Sequence, residues 1–216
     1  VYAHLDWLRS LGGPTIHRVD AGRLGDHLIT GKDGIGGRFA SIPAWTASSE
    51  GEKSGKVPRQ CTADYKVQPI ERFIRRNLFN LAPGERFQKD ANVAQLFGIS
   101  IDEAARAWRI KANAPAWCTP SFPLIDRMMT RRQCVQWLEE FGVPHKVPRS
   151  ACVFCPYKSN NEWIWLREND PQGFARAIEI DDALRKEGNV VNRNLNERLY
   201  LHKSCIPLRE VALTDA

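Results

Sequence analysis

The stretch that most constrains this chain is Arg149 to Trp163, RSACVFCPYKSNNEW. Cys152 and Cys155 stand two residues apart, and a turn between them brings both sulfurs to one side. That is the geometry a tetrahedral metal or the iron of an iron–sulfur centre needs. Ser159 with Glu162 three positions on is a Ser-x-x-Glu capping box, so a helix is expected to begin there. Its N-terminal dipole would lie near the sulfurs and favour their thiolate form. One Cys-x-x-Cys alone is a weak signal, and the rest of the chain has to supply partners for it.

The 216 residues, 43% hydrophobic and 26% charged, suit one soluble globular domain, or one domain with an appendage, able to bury a core. No run of about 18 apolar residues suggests a membrane span, and the start has no signal-peptide layout, so a cytoplasmic protein without membrane contact is expected. The net charge of +6 fits either a polyanionic partner or a mildly basic surface. Six cysteines in a chain of this kind point to metal binding or catalysis rather than to a disulfide framework.

Residues 1–11 have the spacing of a helix, with Leu5, Leu8 and Leu11 on one face and Gly12-Gly13-Pro14 ending it. Thr15 to Val19 alternates like a short strand and would make His17 a sheet residue. Helix, tight turn and strand suggest an α/β sheet. From Gly31 to Pro58 the composition shifts to Gly, Ser and Lys. The GKDGIGG run there matches no phosphate-loop pattern, and a long mobile loop is expected. Ile70 to Phe79 carries a helical apolar stripe, and Ala91 to Ile99 is a strand candidate. Ser100 with Glu103 and Thr130 with Gln133 are further capping boxes. Cys134 falls on the apolar face of the Thr130 helix and is expected in the core. Another helix should run from Asp170-Pro171 through Leu184 to a stop at Gly188. The apolar Leu199–Leu208 segment closes the chain, and Trp163 and Trp165 are expected to pack rather than stack on bases.

Cys61, Cys152, Cys155 and Cys205 each sit at a loop or element boundary, with Cys118 as a spare. Three or four of them converging would bind zinc or a [4Fe–4S] cluster, and spacing does not choose between the two. The basic residues Arg59, Lys66, Arg106, Arg109, Arg149 and Lys158 recur beside these elements and suit phosphate or sulfate groups. Of these, Lys66 and Arg149 lie within a few residues of a candidate ligand.

These motifs resemble the phosphoadenosine phosphosulfate (PAPS) reductase-like branch of the adenine nucleotide alpha hydrolase, or PP-loop, superfamily. Cys61-Thr-Ala-Asp-Tyr-Lys66-Val-Gln-Pro69-Ile is similar to the family's Cys-Cys-x-x-x-Lys-x-x-Pro-Leu. Gly98-Ile-Ser-Ile-Asp-Glu resembles its Gly-Leu-Arg-x-x-Gln, and Pro123-Leu-Ile-Asp its Pro-Leu-x-x-Trp-Thr. Arg149-Ser-Ala-Cys152-Val-Phe-Cys155 takes the place of its terminal Cys-x-x-Cys. The resemblance spans roughly residues 1–160 and implies a Rossmann-like, doubly wound parallel sheet with helices on both faces. A helical extension over 161–216 would pack on it. The family's Ser-Gly-Gly-x-Asp-Ser nucleotide loop is absent and would lie before Val1, which implies a truncated member that binds nucleotide poorly. Thr62 replaces the family's second cysteine, so a four-cysteine cluster would draw on Cys205 or leave one iron open. The Glu-Cys-Gly-x-His reductase motif is also absent, with Cys205 in His202-Lys-Ser-Cys as a stand-in nucleophile.

The resemblance implies an enzyme that binds ATP or a sulfonucleotide and handles sulfur, by sulfonucleotide reduction or nucleic-acid thiolation. Cys61, Cys152, Cys155 and Cys205 would ligate a [4Fe–4S] cluster or zinc, and Arg59, Lys66, Arg109, Arg149 and Lys158 would bind the substrate. A second reading is a non-catalytic nucleic-acid-binding module with structural zinc on the same cysteines. A third is a degenerate family member kept for protein interaction.

Overall fold

The computed structural model describes residues 2–30, 42–145, 147, 151–186 and 196–214. The GKDGIGG motif, Arg149 and Gly188 lie outside the described residues. The chain is mixed α/β and divides into two compact units. One comprises Val1–Ile16 with Arg75–Arg149, the other His17–Ile74 with Ser150–Ala216. The expected boundary near residue 160 therefore falls inside the second unit, whose two segments share one core. Among the described residues no helix is long and apolar enough to cross a membrane.

In the first unit, α1 (Tyr2–Ser10) forms where the leucine spacing predicts it. Strands β3 (Val93–Leu96) and β4 (Cys118–Ser121) pair in parallel, with Val93 opposite Cys118 and Leu96 opposite Ser121. Helix α4 (Ala104–Ala112) lies between them in sequence, which makes a β–α–β crossover. The Ser100 capping box does not form. Ser100 Oγ donates instead to Asp102, and a 3-10 turn at Ile101–Glu103 leads into α4. A one-turn helix, α5 (Pro123–Asp126), precedes α6 (Arg131–Glu140), whose Thr130–Gln133 box is complete. Cys134 is only half-buried, because α6 leaves Val135 and Trp137 exposed rather than sinking a face into a core.

The second unit holds the larger core. Helix α2 (Leu24–Thr30) packs on α8 (Pro171–Arg185), and Leu24, Leu28, Ile180 and Leu184 interleave between them. A Cβ on Gly25 would meet Ile180 Cδ1 at 3.0 Å, so the close approach of the two helices depends on that glycine. Thr15 to Val19 is not a strand, and His17 instead packs on Phe73 with ring centroids 4.8 Å apart and the planes tilted by 45°. The described part of the expected 31–58 loop is a β-hairpin of β1 (Ala44–Ala47) and β2 (Lys53–Val57). With β5 (Arg198–Tyr200) it forms an antiparallel sheet in the order β2-β1-β5. Helix α7 (Asn160–Asn169) starts at its complete Ser159–Glu162 box. Trp163 on it is fully buried, while Trp165 is exposed.

The helical stretch around residues 61–78 is irregular. A π-helical turn at Ala63–Val67 precedes α3 (Gln68–Phe73), and a second follows at Ile74–Leu78. Pro69 removes the N–H that an α-helix would aim at Tyr65 O, and Gln68 N–H reaches back five residues to Ala63 O. Such widened turns are frequent at functional positions, and this one carries Tyr65 and Lys66.

Candidate functional site

The Cys152–Cys155 segment is two consecutive turns. Cys155 N–H donates to Cys152 O at 3.1 Å and Lys158 N–H to Cys155 O at 3.3 Å, delivering the chain to the Ser159 cap. Phe154 between the two thiols is buried in the core and anchors the loop. Trp45 on β1 fixes its far side by donating its indole N–H to Pro156 O at 3.3 Å. The loop is thus anchored by Phe154 in the core and by Pro156 on Trp45, and it leads directly into α7.

Cys61 comes to the same place from a segment about 90 residues earlier in the chain. It packs against the same core as Val153 and Tyr65. Burial pushes the Cys61 thiol up, and the neighbouring Cys152 and Cys155 push it further, while Arg59 and Lys66 pull it down. Cys152 is exposed at the surface, yet the groups packed around it desolvate its thiol and raise it, opposed by Lys66 and Lys158 and reinforced by Cys155. Cys61, Cys152 and Cys155 therefore share one electrostatic neighbourhood with Arg59, Lys66 and Lys158 around it. Replacing Lys66 by Ala should slow iodoacetamide alkylation of Cys152 at about pH 8. The fold should be retained, and an unchanged rate would remove Lys66 from the site.

Cys205 does not belong to that neighbourhood. Its thiol donates to Thr46 O on β1 at 3.6 Å, and burial raises its pKa against the pull of Lys53. It sits at φ 57°, in a turn closed by Cys205 N–H to His202 O. Cys118 is buried on β4 of the other unit, near Gln95. Arg109 and Arg106 are on α4 of that unit, donating to Ala105 O and to Glu103.

Two polar pairs beside the thiol loops carry no sequence motif. His27 on α2 is hydrogen-bonded to Tyr65 at 2.5 Å, placing an imidazole and a phenol on the π turn that holds Lys66. His202, 3% exposed, accepts at Nδ1 from Ser204 N–H at 3.2 Å, with Ser204 Oγ at 2.7 Å. That leaves the proton on Nε2, which donates to Asn160 Oδ1 at 3.2 Å on the first turn of α7. Burial, Lys203 and Lys53 lower the His202 pKa against Asp181, so the neutral ring is favoured. The only available signal for this link was the run His202-Lys-Ser-Cys, which gives no hint of Asn160.

All six cysteines are free. Three thiols in one neighbourhood suit a thiophilic metal in kind. As folded, no three His, Cys, Asp or Glu side chains among the described residues are arranged to hold a metal ion. No protein-family model, curated protein or solved structure matches the chain.

Proposed function

We propose that this chain is a PAPS reductase-like enzyme that binds an adenine nucleotide and handles sulfur. Cys61, Cys152 and Cys155 would hold its metal or [4Fe–4S] cluster. The observation that carries the reading is the meeting of Cys61 with the Cys152–Cys155 loop beside Lys66. Sequence-distant thiols gathered with cations are what a thiolate-held centre working on an anionic substrate requires. When bound, such a centre supplies a thiophilic binding point for sulfur. Lys66 and Lys158 lower the cost of ionising Cys152, Arg59 does the same for Cys61, and all three attract phosphate or sulfate. A doubly wound, Rossmann-like sheet is part of this proposal, supported by the parallel β3–α4–β4 crossover.

The test is metal content and visible absorption of protein purified without oxygen, beside a Cys152→Ala/Cys155→Ala variant. Iron with sulfide and a brown chromophore, both lost in the variant, is the expected result. Stoichiometric zinc without colour would favour the structural-zinc module instead. Absence of any metal from freshly prepared protein would sink the thiolate centre.

A further inference from the structure

We propose that the β2 side of the outer face of the β2-β1-β5 sheet, together with Tyr157, is a docking surface for single-stranded nucleic acid. Its register makes this face unusual. Ala44, Thr46 and Leu199 are buried on one side of the sheet, with Ala44 and Leu199 in the core. The opposite side carries Trp45, paired with Lys56 and Tyr200, and Ala47, paired with Lys53 and Arg198. Ala47 and Tyr200 are buried there, with the Arg185 guanidinium over the Tyr200 ring, so the open part is the β2 side with Lys53, Lys56 and half-buried Trp45. Lys53 and Lys56 are three residues apart, which in a regular strand would point them to opposite faces. The bulge between Thr46 and Ala47 absorbs the odd residue and turns both lysines to the Trp45 side.

Lys53, Lys56 and Arg198 are exposed and make no ion pair among the described residues. The Lys56 ammonium lies 5.8 Å from the Trp45 ring centroid and 5.5 Å from that of Tyr157. Tyr157 is 38% exposed and follows Pro156, to which Trp45 is tied. Exposed cations that make no ion pair among the described residues, set beside aromatic rings, suit the phosphates and bases of an unpaired strand. A duplex keeps its bases stacked away from such rings. The surface adjoins the thiol loop through Pro156 and Tyr157. On the proposed function it would present a nucleic acid, rather than a free nucleotide alone, to Cys152 and Cys155.

The test is fluorescence anisotropy of the full chain with a labelled oligouridylate of about 12 nucleotides, between about 50 and 200 mM salt. Binding should weaken steeply with salt. Lys53→Glu/Lys56→Glu should lose at least about tenfold in affinity and flatten the salt slope by more than one unit. Tyr157→Ala should lose about fivefold or more with the slope unchanged. Melting temperature and metal content of these variants should equal those of the unmodified chain. Cys152→Ala/Cys155→Ala should bind the oligonucleotide normally, so failure of the thiol centre and failure of this surface are read separately. The proposal falls if the unmodified chain does not bind at the lower salt, or if the double Glu variant binds equally well. It falls too if polyglutamate or anionic vesicles compete as strongly as the oligonucleotide.

Discussion

Asp181→Ala is expected to destabilise the second unit by about 3–5 kcal/mol, the usual range for leaving groups unpaired by removing half of a buried ion pair. Asp181 is fully buried on α8 and accepts from three donors: Leu201 N–H and Leu208 N–H, both at 2.8 Å, and Arg185 Nη2 at 2.7 Å. Truncation leaves two buried backbone donors without partners, each costing about 1–3 kcal/mol. It also leaves the Arg185 guanidinium, whose other arm holds Leu199 O at 3.1 Å and whose plane covers Tyr200, without its buried counter-ion. The segment released is the one that carries His202 and Cys205. Urea denaturation of the variant beside the unmodified chain measures the loss, and a change below about 1 kcal/mol would show that these bonds are replaced by water.

The second large effect concerns acidity and metal uptake. The raised pKa values of Cys61 and Cys152 mean that these thiols carry their protons at neutral pH when no metal is present. A metal must displace one proton from every cysteine it takes as a thiolate. If the proposed thiolate centre forms, its affinity for Zn²⁺ should rise with pH, by about one decade per pH unit for each thiol deprotonated and about three decades for three. Competition with a chelator of known affinity between about pH 6 and 8 would read the slope. A slope near three supports joint ligation by Cys61, Cys152 and Cys155, whereas a slope near zero rules out thiolate ligation altogether. Lys66→Ala should displace the whole curve toward weaker binding, since the cation that eases ionisation of both cysteines is gone.

Local chemistry was the legible part of this sequence. The boxes at Thr130 and Ser159 form as read because each depends on two side chains three residues apart and a backbone they reach by themselves. The Ser100 box has the same letters, yet Asp102 takes the Ser100 hydroxyl and also accepts from Arg131 N–H, a contact 29 residues away. The hairpin was missed because β2, KSGKV, lies at the sheet edge with its polar residues in solvent. It therefore shows no alternation to read. Thr15 to Val19 does alternate, but no neighbouring strand pairs with it, and the His17–Phe73 contact takes its place. Within the site, cysteine and lysine spacing pointed to Cys61, Lys66 and the Cys152–Cys155 loop. Nothing local distinguishes Cys205, whose place is set by the turn at His202 and by Asp181 on a helix some 20 residues away.

The interleaving of the two units has a consequence for synthesis. Residues 75–149 leave the ribosome as a block between Cys61 and Cys152. At about 5–20 residues per second, Cys61 waits roughly 5–20 s for its nearest thiol neighbours. During that interval its π turn lacks the loop against which it packs, and α2 lacks α8. The nascent second unit is thus an open half-core with a solitary thiol, exposed to oxidants and to stray metal before its partners exist. Slowing elongation across residues 75–149 would lengthen that window, whereas a circular permutant that joins the two halves of the second unit directly would abolish it.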